Sequence, residues 1–179
     1  MNDIKAVFED PHTLLLLNSG KCITAEKILI ATGNRPTREL GGGRMVPGAG
    51  LCITSDEAFH LEKLPERILI AGGGYIAIEF AHIFQGLGSK VSLVYRGEKP
   101  LRGFDDDMRE LLCASMQDRG IDVLLGCEFT AIEKRGDGLR AETSTGGVMD
   151  CDQIMLAIGR APNTQALHVE KAEIGRAHV

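Results

Sequence analysis

A glycine-rich turn between an apolar run and a helix-like segment is the first indication of chemistry in this chain. In the stretch "RILIAGGGYIA", Gly72, Gly74 and Ala77 fit the spacing G-x-G-x-x-G/A. Gly72 allows a sharp turn, Gly74 allows the backbone to approach a pyrophosphate, and Ala77 lets the helix lie close to the strand. The start of that helix then offers unpaired N–H groups and a partial positive charge to an anion. We predict a dinucleotide-binding turn; the alternative is a glycine turn without a ligand.

Two arginines follow the next predicted strand, at the place where NAD-binding proteins carry an acid. The strand in "SKVSLVYR" ends near Tyr95, at the place that Arg96 occupies, and Arg102 follows after a short loop. An acid at this place accepts hydrogen bonds from the ribose of NAD, whereas an arginine attracts the 2′-phosphate of NADPH. We therefore predict NADPH as the cofactor, with Lys99 adding to the positive field. The alternative is that both arginines are solvated surface residues.

The pattern of apolar residues and turn residues predicts the elements that position these groups. In chain order they are short strands at 6–10, 13–17 and 21–25, a buried parallel strand at 27–33, a linker at 34–50, a short helix opened by Thr54 or Ser55, a strand at 67–71, a helix at 75–88, a strand at 89–96, a helix at 105–120, a strand at 121–126, an antiparallel meander at 128–151, and a final strand and turn at 152–164. Two stretches, "ILIATGNRPT" and "IMLAIGRAPNT", share one form and indicate two matching crossings between neighbouring domains.

Composition excludes several classes of function. The net charge is −5, aromatic residues make up 4% of the chain and tryptophan is absent, which argues against nucleic acid and anionic membranes as partners. Five cysteines without tight spacing form neither a disulfide framework nor a zinc site, so we predict no metal and a reducing compartment. No apolar run is long enough to span a bilayer. We expect a cytoplasmic protein, with a mitochondrial or plastid location left open.

Three stretches together resemble the flavin-dependent pyridine nucleotide–disulfide oxidoreductases. They are "ILIATGNRPT", residues 54–112 and "IMLAIGRAPNT", and the resemblance continues to about Ala172. It implies an α/β fold in which a Rossmann-like NADPH-binding domain, made of βαβ units and a three-stranded antiparallel meander, is flanked by parts of an FAD-binding domain. The implied divisions are a partial FAD-binding domain (1–40), a linker and short helix (41–65), the NAD(P)H-binding domain (66–150), a return into the FAD domain (151–172) and a non-native tail (173–179).

The resemblance also implies an activity and two cofactors, NADPH and FAD. Within the family it is strongest to the enzymes that reduce glutathione disulfide, in which hydride passes from NADPH to FAD, then to a dithiol and to the disulfide. Enzymes acting on lipoamide, mercuric ion or trypanothione are alternatives, although the basic pair argues against the NAD-using lipoamide enzyme. A ferredoxin-type reductase and a non-catalytic NADPH-binding fragment are further alternatives. The parent protein is expected to be a homodimer acting on a small-molecule substrate.

Several residue roles follow from the resemblance by position. Tyr75 matches a tyrosine that covers the nicotinamide pocket, and Glu79 matches a glutamate that reaches toward the nicotinamide and flavin; these two are the implied catalytic residues. The implied cofactor-binding residues are Gly72, Gly74, Tyr75, Ile76, Ala77, Glu79, Arg96, Arg102, Gly159 and Arg160 for NADPH, and Ala31, Thr32 and Gly33 for FAD.

The chain also departs from the family pattern. No cysteine pair has the C-x4-C spacing of the redox dithiol, and the lysine partner of Glu79, the first flavin glycine turn and the interface domain with its proton-transferring histidine are missing. We therefore expect these 179 residues to bind NADPH without reducing glutathione disulfide. The last seven residues, "EIGRAHV", are predicted to be non-native because one codon run that encodes them contains the start of a common sequencing-library adapter.

Overall fold

The structure, a computed structural model, describes residues 5–40 and 43–175 of the chain. Its elements fall into two compact units, residues 1–35 with 161–179 (unit 1) and residues 36–160 (unit 2). In chain order the described strands and α-helices are β1 (Ala6–Asp10), β2 (Thr13–Leu16), β3 (Lys21–Thr24), β4 (Asn34–Pro36), β5 (Glu39–Leu40), β6 (Arg44–Met45), α1 (Ser55–Ala58), β7 (Arg67–Ala71), α2 (Tyr75–Gly86), β8 (Lys90–Tyr95), α3 (Asp106–Asp118), β9 (Asp122–Leu125), β10 (Phe129–Arg135), β11 (Gly138–Thr143), β12 (Val148–Cys151), β13 (Gln153–Leu156) and β14 (Arg160–Pro162).

Unit 2 is built on a four-stranded parallel sheet with the strand order β13-β7-β8-β9. Its central strands are apolar on both faces because both faces are covered. In β7, Ile68 and Ile70 pack with residues of α2 and α3, whereas Leu69 and Ala71 pack with the antiparallel meander β10-β11-β12. The predicted α/β fold with βαβ units and a three-stranded meander is confirmed.

The two long helices of unit 2 have the end signals that the sequence indicates. α2 starts directly after Gly74 and stops two residues before Gly88. α3 starts after Asp105, has two acids in its first turn, and stops two residues before Gly120. Acids at the start stabilise the positive end of the helix dipole, and glycine beyond the end accommodates the chain as it leaves the helix.

Residues 43–65, which the sequence predicts to be a linker with a short helix, pack into unit 2. Val46, Ala49 and Cys52 are buried in the core on the meander side of the sheet. The N–H of Ile132 in the meander donates to the carbonyl of Pro47 at 2.8 Å. The predicted short helix is present as α1, but it ends at Ala58. Because the segment is rich in glycine and proline, its sequence shows no helix or strand periodicity. Its apolar residues nevertheless pack against the core on the meander side of the sheet.

The last strand of the central sheet is β13, which the sequence places in a return into the flavin domain from residue 151. Ile154 of β13 lies in parallel register with Leu69 of β7. The N–H of Ile53 also donates to the carbonyl of Ile154 at 2.9 Å. The compact unit therefore extends to Arg160, ten residues beyond the predicted boundary at 150.

Unit 1 contains the three predicted hairpin strands as the antiparallel sheet β1-β2-β3. Val7 and Phe8 of β1 are buried, and the 3-10 turn Val169–Ala172 packs beside that strand. An ion pair joins Lys171 Nζ to Glu9 Oε1 at 3.0 Å. Of the predicted tail, residues 173–175 continue from the 3-10 turn, and residues 176–179 lie outside the described residues.

The predicted buried strand at residues 27–33 is wrong. These residues form no strand with any described segment, and the side chain of Leu29 is 88% exposed. A parallel strand requires a neighbour that completes its backbone hydrogen bonds, and an apolar run cannot supply that neighbour. By contrast, the second halves of the two matching stretches do meet, because they contain β4 and β14, which pair in a two-stranded sheet.

No described helix combines the length and the apolar character that crossing a bilayer would require.

A capping box fixes the start of α1. The Thr54 hydroxyl accepts a hydrogen bond from the N–H of Asp56. The Glu57 carboxylate accepts from the Thr54 hydroxyl at 2.5 Å and from the Thr54 N–H at 2.7 Å. These hydrogen bonds, with the Thr54 hydroxyl as the largest contribution, lower the pKa of Glu57 to about 2.

Removing the cap should destabilise unit 2 in a pH-dependent way. We expect Thr54→Ala to lower the free energy of unfolding by about 1 kcal/mol near neutral pH. The pKa of Glu57 is about 2 when folded and roughly 4.3 when unfolded, so its stabilising contribution is complete above roughly pH 4.3 and is lost as the pH falls toward 2. The stability difference between wild type and Glu57→Gln, measured by urea denaturation, should therefore shrink at acidic pH. The exposed Glu62→Gln serves as the control, and a pH-independent difference at Glu57 would contradict the assignment.

Candidate functional site

The glycine turn lies at the carboxyl end of β7 and leads directly into α2. Gly72 has a φ of 138°, which side-chain-bearing residues rarely adopt. A Cβ on Gly72 would lie 2.3 Å from the carbonyl oxygen of Ala157 and 3.2 Å from the Cβ of Ala77. Ala77 is fully buried on the sheet side of α2. Both residues are thus small because the helix and two strands approach one another closely at this point.

Gly74 borders open space at the start of α2. A Cβ on Gly74 would meet no atom within 4 Å, and no side chain caps the helix. The first turn of α2 also contains no acid. The first N–H groups of a helix have no partner within the helix, and its N-terminus carries a partial positive charge. This end of α2 can therefore receive an anionic group.

Tyr95, the last residue of β8, rests on two glycines. A Cβ on Gly73 would lie 2.6 Å from Cδ2 of the ring, and a Cβ on Gly97 would lie 2.6 Å from Cε1. The sequence analysis assigned no role to Gly73 and missed this requirement. A third consecutive glycine beside an aromatic residue at the next strand end is the signal that could have found it.

Three cations lie between the end of β8 and the start of α3, and a fourth, Arg109, lies in the first turn of α3. Lys99 and Arg109 already have acidic partners. Lys99 forms an ion pair with Glu110 and lies 3.9 Å from Asp106 Oδ1. The hydrogen bond that Lys99 donates to the Glu110 carboxylate is the main cause of the raised pKa of Lys99. Arg109 donates to Asp106 and to two loop carbonyls. The predicted field contribution of Lys99 is thus largely offset by its acidic partners.

Arg96 and Arg102 are the two cations of this loop that have no hydrogen bond or ion pair to any residue in the described part of the chain. Both side chains are exposed. The N–H of Leu101 donates to the carbonyl of Gly73 at 2.6 Å, so the residue before Arg102 is bonded to the glycine turn. Two guanidinium groups without polar partners in the described part of the chain therefore follow β8, near the start of α2. The predicted phosphate site requires this arrangement.

Tyr75, Ile76 and Glu79 occupy the first turns of α2. The Tyr75 ring is 61% exposed, whereas Ile76 is partly buried against the core on the helix side of the sheet. Glu79 is exposed and has no polar contact with any residue that the structure describes. Residues four apart lie on one face of a helix, so Tyr75 and Glu79 share an exposed face.

Gly159 and Arg160 follow β13 within unit 2. The N–H of Ala157 donates to the carbonyl of Ala71 at 2.8 Å, which brings the ends of β13 and β7 together. The N–H of Thr37 donates to the carbonyl of Gly159 at 3.0 Å, and Arg160 Nη1 donates to Ser55 Oγ at 3.2 Å. Both residues therefore follow strand ends at the same edge of the sheet as the glycine turn.

Ala31, Thr32 and Gly33 lie in unit 1 as an exposed turn. The Thr32 hydroxyl donates to the carbonyl of Asn163 at 2.8 Å, and the N–H of Asn163 donates to the carbonyl of Gly33 at 3.0 Å. This turn is thus held by the segment that follows β14. By itself it offers no enclosed set of donors for a flavin among the residues that the structure describes.

Three of the five cysteines lie in the core. Cys52, Cys127 and Cys151 are buried in the core, Cys22 is exposed and Cys113 is partly exposed, all as free thiols. Burial raises the pKa of both Cys52 and Cys151 to about 12, so these thiols stay protonated at neutral pH. Within residues 5–40 and 43–175 no group of three or more His, Cys, Asp or Glu residues could hold a metal ion.

The two motif glycines should respond differently to the same substitution. Gly72→Ala places a methyl group against the Ala157 carbonyl at a left-handed φ, and we expect it to lower the free energy of unfolding by about 2 kcal/mol or more. Gly74→Ala meets open space at an ordinary φ of −86° and should cost less than about 1 kcal/mol. Chemical denaturation of both variants measures the difference. Equal stability of the two variants would contradict the steric account of Gly72.

Comparison with known proteins gives consistent matches along the chain. The family described as "Pyridine nucleotide-disulphide oxidoreductase" matches residues 2–178. Glutathione reductase from Burkholderia cepacia is 46% identical over 157 residues, which covers 88% of this chain and 34% of that protein. Trypanothione reductase from Leishmania donovani is 47% identical over 170 residues, which covers 93% of this chain and 33% of that protein. The chain thus spans about a third of the length of the curated relatives it matches.

Solved structures share the fold. The HOCl-induced flavoprotein disulfide reductase RclA from Escherichia coli matches with a TM-score of 0.81 and 29% identity, over 96% of this chain and 38% of that chain. A ferredoxin reductase from Rhodopseudomonas palustris matches with a TM-score of 0.79 and 23% identity, over 97% of this chain and 44% of that chain, and shows the fold alone. The resemblance predicted from the sequence is confirmed. The chain belongs to the pyridine nucleotide-disulphide oxidoreductase family.

Proposed function

We propose that unit 2 binds NADPH, with the pyrophosphate at the glycine turn and the start of α2. Gly72, Gly74 and Ala77 shape this place, and the first N–H groups of α2 face the anion. Gly74 has the space that a phosphate needs, because no atom lies within 4 Å of the position of a Cβ. In this site Gly72 therefore has a steric role, and Gly74 faces the ligand.

The observation that favours NADPH over NADH is the presence of two arginines without polar partners in the described part of the chain. Arg96 and Arg102 have no polar partner in the described part of the chain, and the strand before them ends in Tyr95 instead of an acid. Opposite charges about 4 Å apart at an effective dielectric near 20 attract by about 4 kcal/mol before desolvation. Each charge-assisted hydrogen bond contributes about 1.5–3 kcal/mol. Two guanidinium groups are therefore sufficient to distinguish a 2′-phosphate from a 2′-hydroxyl.

The nicotinamide end of the cofactor is assigned to the residues around the start of α2 and the end of β13. The exposed Tyr75 ring can cover this end and turn aside, and Ile76 supports the helix start from the core side. We assign Glu79, on the same face of α2, to the space beyond Tyr75, and Gly159 and Arg160 to the opposite border. Bound NADPH would supply a hydride for reduction of a flavin.

We further propose that the longer protein is an NADPH- and FAD-dependent disulfide reductase. Relatives of this class are about equally similar to the chain whether they are named glutathione reductase or trypanothione reductase. We infer glutathione disulfide as its substrate; the Leishmania relative supports a trypanothione-type disulfide as the second candidate. Ala31, Thr32 and Gly33 would contribute to its flavin site. On the resemblance alone we expect a cytoplasmic homodimer that acts on a small molecule and binds neither nucleic acid nor membrane.

Titration of the chain with NADPH and NADH tests the cofactor assignment. We expect Arg96→Glu and Arg102→Glu each to weaken NADPH binding by about tenfold to a hundredfold, because each removes a charge-assisted contact and adds a repulsive charge. Binding of NADH should change little. Arg135→Glu, an exposed substitution in the meander, is the matched control and should leave both dissociation constants unchanged. Equal affinity of the wild-type chain for the two nucleotides would count decisively against the assignment.

The absence of a C-x4-C pair from the sequence gives a second test. We expect the purified chain with added FAD to bind NADPH without oxidising it in the presence of glutathione disulfide, because the residues of the dithiol step are not in this sequence. Consumption of NADPH is followed by its absorbance, with a complete glutathione reductase as the positive control. Turnover by this chain, dependent on glutathione disulfide, would overturn the assignment of its cysteines to structural roles.

A further inference from the structure

The loop that carries both proposed phosphate-binding arginines is attached to the glycine turn. We call residues 96–104, between β8 and α3, the arginine loop. Near its middle, the N–H of Leu101 donates to the carbonyl of Gly73 at 2.6 Å. At its start, Gly97 lies against the ring of Tyr95. The loop backbone is therefore fixed on the side that faces the proposed pyrophosphate site.

Arg109, at the start of α3, supplies a second attachment from the other side. Its Nε donates to the carbonyl of Pro100 at 2.7 Å, and its Nη2 donates to the carbonyl of Lys99 at 2.9 Å. Its Nη1 donates to Asp106 Oδ1 at 2.7 Å. One planar guanidinium group thus binds two consecutive loop carbonyls and one helix carboxylate. The side chain is only 17% exposed, so these contacts occupy it and leave it unavailable to a ligand.

The backbone between the two attachments has a conformation that requires support. Leu101 has a φ of 53°, in the left-handed region, and Pro100 before it is fully buried. A residue with a branched side chain remains in this region only where its surroundings impose it. Because Arg109 binds the two carbonyls before Leu101 and Gly73 binds its N–H, these hydrogen bonds set the direction in which the chain enters Arg102.

We propose that Arg109 is a positioning residue for NADPH preference, which holds the arginine loop so that Arg102 meets the 2′-phosphate. Arg109 itself does not touch the cofactor. This inference rests on the proposed NADPH site. A residue that only added positive charge would be replaceable by lysine. A residue that binds two carbonyls through the rigid guanidinium group cannot be replaced by lysine, because the lysine ammonium is a single point charge on a flexible side chain.

Arg109→Lys tests the role of the fork while it keeps the charge. We expect the dissociation constants for NADPH and for adenosine 2′,5′-bisphosphate to rise about tenfold, which corresponds to the loss of one well-placed charge-assisted hydrogen bond. The dissociation constant for NADH should stay within about twofold, because NADH does not use the arginine loop. Isothermal titration calorimetry on the full chain measures all three constants. Arg119→Lys, an exposed substitution beyond the other end of α3, is the matched control and should change none of them.

A second variant separates geometry from charge. Arg109→Met removes both, and we expect it to weaken NADPH binding at least as much as Arg109→Lys does. If Arg109→Lys binds NADPH as the wild type does while Arg109→Met does not, the effect is charge alone and the positioning role is overturned. Equal weakening of NADPH and NADH binding would also overturn it, since that result indicates a general loss of structure. A wild-type chain with no preference for NADPH would instead refute the proposed function itself.

Discussion

One steric constraint governs unit 2: the chain passes from β7 to α2 through a space that leaves no room for a Cβ on two successive residues. A carbonyl beyond β13 closes the space at Gly72, and the ring of Tyr95 at the end of β8 closes it at Gly73. Both neighbours of β7 in the sheet therefore contribute to the same restriction. Because the backbone can come this close, the start of α2, the loop after β8 and the segment after β13 meet at one edge of the sheet. Binding residues from distant parts of the sequence become neighbours there.

Two acids of α3, Asp106 and Glu110, have cationic partners other than the proposed ligand arginines. Glu110 pairs with Lys99, and Asp106 pairs with Arg109. Without those partners, the carboxylates would be competing anions for any nearby guanidinium group. Exposed ion pairs contribute little to the free energy of folding. These pairs matter mainly because they determine which cations remain available to bind a phosphate. Of the three cations in the arginine loop, two thus have no polar partner in the described part of the chain.

Local sequence signals were sufficient for most of unit 2 and failed where structure depends on distant partners. Acids, glycines and apolar periods mark the boundaries of α2, α3 and the strands around them, and the spacing of the motif identifies Gly72 and Gly74. Residues 27–33 have the same apolar character as β7, but no described segment pairs with them as the neighbouring strand that would complete their hydrogen bonds. Arg109 resembles any arginine on a helix, and only the folded loop brings its guanidinium group to carbonyls nine and ten residues earlier. Gly73 was missed because its neighbour, Tyr95, is remote in sequence.

The two crossing segments have a consequence for how such a protein can be assembled from parts. β4 and β14 pair with each other, and the N–H of Thr37 donates to the carbonyl of Gly159 at 3.0 Å. The entry and exit of unit 2 are therefore one hydrogen bond apart. A domain whose two ends are adjacent can be inserted into a surface loop of another protein without stretching either chain. After its removal, a short linker can rejoin the flanking segments. The ends of unit 2 thus have the geometry that insertion of a domain into another protein requires.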